Sequence, residues 1–371
     1  MRTTPTAALQ AMLGLPPLHL VVRKEATLAL FRLEISGTLN KDSRIKHIRI
    51  KEDAIRQQPM MASPNDRIPK THCFLKHYNI ELTAEPCDYS GPKELRVYTD
   101  GSKTDLGTGV GVFSEDLNIR ISRPLGMLNT VYQAECVGII QAAHAIEVRE
   151  VTDTHIRILS DSASVLQSLK KNQITSRLIL ECHNALERVA VQYRNTVTLQ
   201  WIKGHSGSPG NDAADELARR GSNTRAFGPE PIVPIPFNQL RSWLKEHTQT
   251  QAEIWWTSVP GCRQSREAIP SLDVKLTKRL LRLDRNSLRL VAGTITGHCP
   301  LNKHFHTLGI TDSPLCRACM EAEETVAHVL LECTGVAQTR KETLGTPRSL
   351  ADALSRLGGL IGFWKEVGWM E

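Results

Sequence analysis

The sequence lacks any uninterrupted apolar run of the ~20 residues that a membrane-spanning helix needs, so no membrane partner is expected. Its N-terminus makes a poor secretory signal, because Pro16, Pro17 and His19 break the apolar stretch and no convincing cleavage site comes after it, so no leader is expected. A disulfide framework is also missing: nine cysteines are an odd number, their spacings are scattered, and only Cys316, Cys319 and Cys333 cluster. These absences predict an intracellular protein, nuclear or cytoplasmic, kept in a reducing environment. No repeat is visible, and with 40% hydrophobic and 23% charged residues the chain is neither disordered throughout nor fibrous. At ~150 residues per domain, 371 residues suggest two or three units. The net charge of +7 permits a polyanionic partner without demonstrating one.

The residues that are present fall into blocks. Residues 1–92 read as a helical tail, with helices near Pro5–Leu13 and Leu18–Thr38 and then an irregular polar stretch. From Leu95 the pattern changes. ELRVYTD, GTGVGVFSE and LNIRISRPL alternate as strands joined by short turns, which suggests an antiparallel meander. TVYQAECVGIIQAAHAIEVRE carries apolar residues at helical spacing. A strand (HIRILSD), two helices (SASVLQSLKK and TSRLILECHNALERVAVQY), a fifth strand (TVTLQWIK) and a last helix (NDAADELARRG) complete residues 93–222. The expected fold is α/β, with a mixed five-stranded sheet flanked by helices. Residues 223–295 read as a proline-bearing linker over Phe227–Phe237 and then helical segments near Gln239–Trp256 and Lys275–Val291. Residues 296–371 hold a Cys/His module and C-terminal helices.

Four carboxylates stand where strands end or helices begin: Asp100 in YTDGS, Glu135 in QAE, Asp161 in SDS and Asp215 in NDAADELA. Singly, each has an ordinary explanation as a turn residue or a helix-dipole partner. Gathered at one sheet edge, they would hold a pair of divalent cations suited to phosphodiester chemistry. Oxygen ligands favour Mg²⁺ or Mn²⁺ over zinc.

YTDGS, QAE, SDS and WIKGHSGSPGNDAADELA, in this order and at these spacings, resemble a type 1 ribonuclease H domain from Leu95 to about Gly221. The resemblance implies that Asp100, Glu135, Asp161 and Asp215 are the metal ligands. It also implies that His205 of the GHSG loop serves proton transfer or product release, and that Gly101, Ser102, Gln133 and Asn211 contact the nucleic-acid strands. The glycine-flanked loop suits a mobile imidazole that titrates near neutral pH. One departure is that the basic helical protrusion of bacterial relatives is reduced here to Lys170, Lys171 and Arg177, so part of the substrate grip must come from elsewhere.

Near the C-terminus, Cys316-x2-Cys319-x8-His328-x4-Cys333 forms a plausible tetrahedral zinc set, with His298, His304 and His306 as alternatives to His328. A ribonuclease H domain with this knuckle-like module after it resembles the C-terminal part of non-LTR (LINE-like) retrotransposon polyproteins, and the N-terminal 35 residues resemble the segment just after the reverse transcriptase there. That resemblance implies a partnership with a reverse transcriptase encoded by the same element, although no F/Y-x-D-D polymerase motif is present. Lys275, Lys278, Arg282, Arg285 and Arg289, at three- and four-residue steps, would line one helical face as a phosphate track; a solvated face explains them equally. The expected function is metal-dependent cleavage of the RNA strand of RNA–DNA hybrids. The alternatives are a degenerate or domesticated element that binds nucleic acid without cutting it, and a transposase of the same fold class, which the GHSG loop disfavours.

Overall fold

The computed structural model describes residues 5–38, 41–83, 94–204, 207–228 and 230–370. Its helices are α1 (Thr6–Met12), α2 (Leu18–Ser36), α3 (Lys41–Gln57), α4 (Val131–Val148), α5 (Ala163–Lys170), α6 (Arg177–Val191), α7 (Pro209–Ser222) and α8 (Phe237–Ser258). They continue with α9 (Arg263–Ala268), α10 (Val274–Leu280), α11 (Arg285–Thr296), α12 (Asn302–Thr307), α13 (Ala337–Thr343), α14 (Leu350–Ser355) and α15 (Leu357–Val367). The strands are β1 (Arg67–His72), β2 (Tyr78–Glu81), β3 (Glu94–Thr104), β4 (Gly107–Ser114), β5 (Ile119–Gly126), β6 (His155–Ser160), β7 (Gln173–Ser176) and β8 (Thr196–Trp201). No described helix is long and apolar enough to cross a membrane.

The chain divides into two compact units, Ala26–Trp243, and Met1–Glu25 with Leu244–Glu371. In the first, β3, β4 and β5 form the expected antiparallel meander, while β6 and β8 add in parallel. The sheet has six strands where five were expected, in the order β2-β8-β6-β3-β4-β5. The extra strand, β2, comes from the stretch read as irregular and pairs in parallel with β8, Tyr78 opposite Val197. From that same stretch β1 pairs antiparallel with β7, and α3 adds a third helix to the tail. β1 escaped notice because RIPKTH carries a proline and has no buried residue, so pairing alone makes it a strand.

Alternation along β4 sets the layers. Val110 and Val112 are fully buried in the hydrophobic core. On the other face an added Cβ on Gly109 would lie 2.1 Å from Ser222 N, and one on Gly111 would lie 2.0 Å from Ala214 O. Helix α7 therefore rests directly on strand backbone, which only glycine allows. α4 covers the opposite side; its start is fixed by a capping box in which the Thr130 hydroxyl accepts from Gln133 N–H and the Gln133 side chain accepts from Thr130 N–H.

The segment 230–237 is packed rather than extended free, whereas Phe227 is fully exposed. Ile235 bridges Asn65, Gln133 Nε2 donates to Pro234 O at 2.7 Å, and the Glu230 carboxylate accepts from Met127 N at 2.9 Å. In the second unit α1 packs on α10, with the Thr277 hydroxyl donating to Met12 O at 3.1 Å. Its core holds Phe363 and Trp364, and Trp256 is fully buried with its indole N–H on Ile269 O at 2.8 Å. The helix expected over Lys275–Val291 is two helices. Asp284 accepts from Asn286 N and Ser287 N and so caps α11 afresh.

Candidate active site

Three of the four expected carboxylates converge. Asp100 lies on β3 opposite Gly111 of β4, Glu135 lies in the first turns of α4, and Asp161 comes directly after the last residue of β6. One carboxylate oxygen from each lies within 4.8 Å of the other two. The spacing is set by backbone packing: Gly101 lets α4 approach β3, since a Cβ there would stand 2.9 Å from Glu135 N. Beyond β8, Gly204 passes so close to Asp161 that a Cβ would lie 2.6 Å from its Oδ2. Asp161 O accepts the Trp201 indole N–H at 2.9 Å, which ties the loop after β6 to the end of β8.

Glu135 is 4% exposed. Burial, and then repulsion from Asp100 and Asp161, hold its carboxyl well above the usual carboxylate range, although the Gly101 N–H and the Ser160 hydroxyl donate to it. Its Oε2 has no hydrogen-bond partner among the described residues. A buried, orphaned carboxylate oxygen amid two further carboxylates is a costly arrangement unless positive charge lies between them. The donor set therefore fits a hard divalent cation.

Asp215, on α7, stands apart from this trio but lines the same cleft of about 330 Å³, and its carboxylate is paired with Arg219 at 2.8 Å. Ser102, Lys103 and Asn211 also line the cleft. Asn211 is 2% exposed, and its Oδ1 lacks a partner among the described residues. His205 lies outside the described residues. Gln133 is not presented to a ligand as expected: it is 1% exposed and occupied at both ends, capping α4 and holding Pro234. Sequence reading missed Ser160 and Arg219. The i,i+4 spacing of Asp215 and Arg219 on a helix was the available signal for the second.

Cys316, Cys319, His328 and Cys333 also come together, their ligand atoms all within 4.8 Å of one another. Cys316 Sγ and Cys333 Sγ are 3.7 Å apart, and Cys319 Sγ is 3.3 Å from His328 Nε2. Two Zn–S bonds of ~2.3 Å at the tetrahedral angle separate their sulfurs by about 3.8 Å, so the set fits zinc. The backbone N–H of Glu321 is first among the groups that bring the Cys319 thiol down to about 7, whereas burial pushes Cys333 up to about 11. Between the first two cysteines, Arg317 grips the fully buried Glu324, Nη2 to Oε1 at 2.6 Å, and that carboxylate also accepts from Asn302 N. The His298 and His304 rings meet tilted by 35°, centroids 5.0 Å apart, and are not in the cluster.

The five basic residues expected on one helical face do not share one. Lys275 and Lys278 lie on α10, Arg282 in the turn after it, and Arg285 and Arg289 on α11, where the Arg289 guanidinium donates to Met370 O at 2.9 Å. The break at Asp284 is the feature that separates them.

The family model for RNase H matches residues 92–223. The ribonuclease H of Cereibacter sphaeroides is 34% identical over 146 residues, covering 34% of this chain and 94% of its own. The chain belongs to the ribonuclease H family. The ribonuclease H of Agrobacterium fabrum is 57% identical over 42 residues, which cover 11% of this chain and 27% of that protein. That of Saccharomyces cerevisiae is 28% identical over 163 residues, 36% of this chain and 47% of that protein. The chain thus spans about a quarter of the length of the first relatives it matches and about half of the yeast one. Among solved structures, RNase H1 of the halophilic archaeon Halobacterium salinarum aligns with 35% of this chain and 97% of its own at 19% identity and a TM-score of 0.28.

Proposed function

We propose that the chain is a metal-dependent endoribonuclease that cleaves the RNA strand of RNA–DNA hybrids. The observation that carries this reading is the convergence of the buried Asp100 and Glu135 carboxylates with the half-buried Asp161, with an orphaned oxygen on Glu135. Together with Asp215 these residues would hold two Mg²⁺ or Mn²⁺ ions, which when bound supply water activation and charge neutralisation at the scissile phosphate. The chain's own part is positional. Ser160 and Gly101 orient Glu135 by hydrogen bonds, and Gly101, Ser102 and Asn211 present backbone and amide groups to the strands. His205 shuttles the proton at the leaving 3′ oxygen or assists product release.

The Cys316, Cys319, His328 and Cys333 cluster holds a structural zinc ion in this reading. The order of a ribonuclease H domain and then a knuckle-like module supports derivation from a non-LTR retrotransposon polyprotein, acting with that element's reverse transcriptase in the nucleus or cytoplasm. The test is cleavage of a labelled hybrid in Mg²⁺ beside single-stranded RNA, duplex RNA and duplex DNA. Magnesium-dependent cutting of the hybrid alone is expected. Equal activity in excess chelator would refute the metal-dependent mechanism.

A further inference from the structure

The surface beside the α4 start concentrates positive charge that the proposed mechanism does not use. The guanidinium carbons of Arg67, Arg241 and Arg32 stand 5.4, 5.8 and 6.0 Å from the centroid of one ring, Phe237. Each lies at cation–π distance, so no two are more than about 12 Å apart. A second set sits on the β1–β7 ribbon, where Lys70 is exposed on β1 and Lys170 and Lys171 are exposed just ahead of β7. None of the ion pairs among the described residues involves any of these six side chains.

The ribbon is fixed in place. Arg67 pairs with Ser176 and His72 with Gln173, Cys73 N–H donates to Asn172 O at 2.9 Å, and Lys76 Nζ donates to the carbonyls of Leu169, Lys170 and Lys171. At its end His72 stacks on Phe74, planes 10° from parallel, and Phe74 remains 77% exposed.

Both sets are tied to the turn that carries Glu135. Gln133 holds Pro234, three residues before Phe237, and the Tyr132 hydroxyl donates to Ser168 Oγ at 3.0 Å, two residues before Lys170. We propose that the arginine cluster around Phe237 and the β1–β7 ribbon form a docking surface for the phosphate backbone of a nucleic-acid duplex, beside the carboxylate cleft. The charge favours phosphates. The exposed stacked pair favours nucleic acid over other polyanions, because a flat apolar ring can pack on a sugar of the backbone. That the duplex is an RNA–DNA hybrid rests on the function proposed above.

The experiment uses the full zinc-loaded chain, dialysed free of Mg²⁺ without chelator, with a fluorescein-labelled RNA–DNA hybrid, monitored by anisotropy from 50 to 200 mM salt. The variants are Arg32/Arg67/Arg241→Gln and Lys70/Lys170/Lys171→Gln; the second touches only exposed side chains, which guards against misfolding of the first. If three phosphate contacts are lost, wild type should lose about forty-fold more affinity than either variant across that fourfold rise in salt. Wild-type affinity and salt slope in a variant with an unchanged melt would overturn the assignment for that half of the surface. A wild-type chain that binds hybrid but does not cut it in Mg²⁺ would remove the catalytic reading and leave the docking surface standing.

Discussion

Replacing Gly111 by alanine perturbs the site from behind. The new Cβ would lie 2.0 Å from Ala214 O and 2.5 Å from Ala218 N, both backbone atoms of α7. The first distance falls about 1.4 Å short of the 3.4 Å at which ordinary contact begins. Backbone atoms of a helix cannot rotate away, so α7 must lift or β4 must bend. Overpacking of this kind costs ~1–3 kcal/mol, and a unit of this size should lose about 2–4 °C in Tm per kcal/mol. Asp215 is the next residue after Ala214, so it moves with the helix, and a misplacement of about 1 Å can lower a rate ~10²-fold. Single-turnover cleavage of a hybrid and a thermal melt separate the two effects. A variant with wild-type rate and wild-type Tm would show that α7 does not rest on this strand as described.

His205→Ala should leave cleavage impaired but detectable, by ~10²–10⁴-fold in single-turnover rate; a variant as fast as wild type would reduce this histidine to an ordinary loop residue. Protein purified without chelator should contain one zinc per chain by elemental analysis, and Cys333→Ser should lose it. Stripping the zinc should unfold the C-terminal module without stopping hybrid cleavage, because small metal sites draw folding energy from the ion; metal-free protein with an intact melt would exclude the site. Stability should also fall with acid through His183, whose Nδ1 stands 2.9 Å from the Tyr78 hydroxyl and whose pKa burial lowers. Because the folded pKa is depressed, the unfolded chain binds the proton more readily. This contribution is therefore present above ~6.5, the unfolded value, and is lost as pH drops below it, at up to about 1.4 kcal/mol per pH unit. His183→Gln should flatten that limb of a denaturant-midpoint titration, and an unaltered limb would exclude the histidine as its source.

The meander, α4 and the convergence of Asp100, Glu135 and Asp161 were legible because local signals agree there: strand alternation, apolar residues at helical spacing, and acids at element ends. Features made only by long-range pairing were not legible. RIPKTH reads as a polar loop until β7 lies beside it, and Thr175 and Ser176 at the end of β7 read as the start of a helix until Ser176 caps α6. The periodic basic stripe over 275–289 concealed a helix break, although the Asp284-x-x-Ser287 cap was visible in the sequence. Nothing local told that Met12 would join the core of Leu280 and Trp364. Gln133 was assigned to nucleic acid by resemblance, but its burial and its bond to Pro234 depend on a segment a hundred residues away.

In the proposed mechanism the carboxylate trio organises metal-dependent cutting of the RNA strand. The most direct measurement is single-turnover cleavage of a hybrid carrying different labels on its two strands, with wild type and Asp100→Asn compared in Mg²⁺ at matched folding by circular dichroism. Wild type should cut the RNA label alone, and Asp100→Asn should cut neither strand while keeping its melt. Cleavage of the DNA strand, or equal RNA cleavage by the variant, would contradict it.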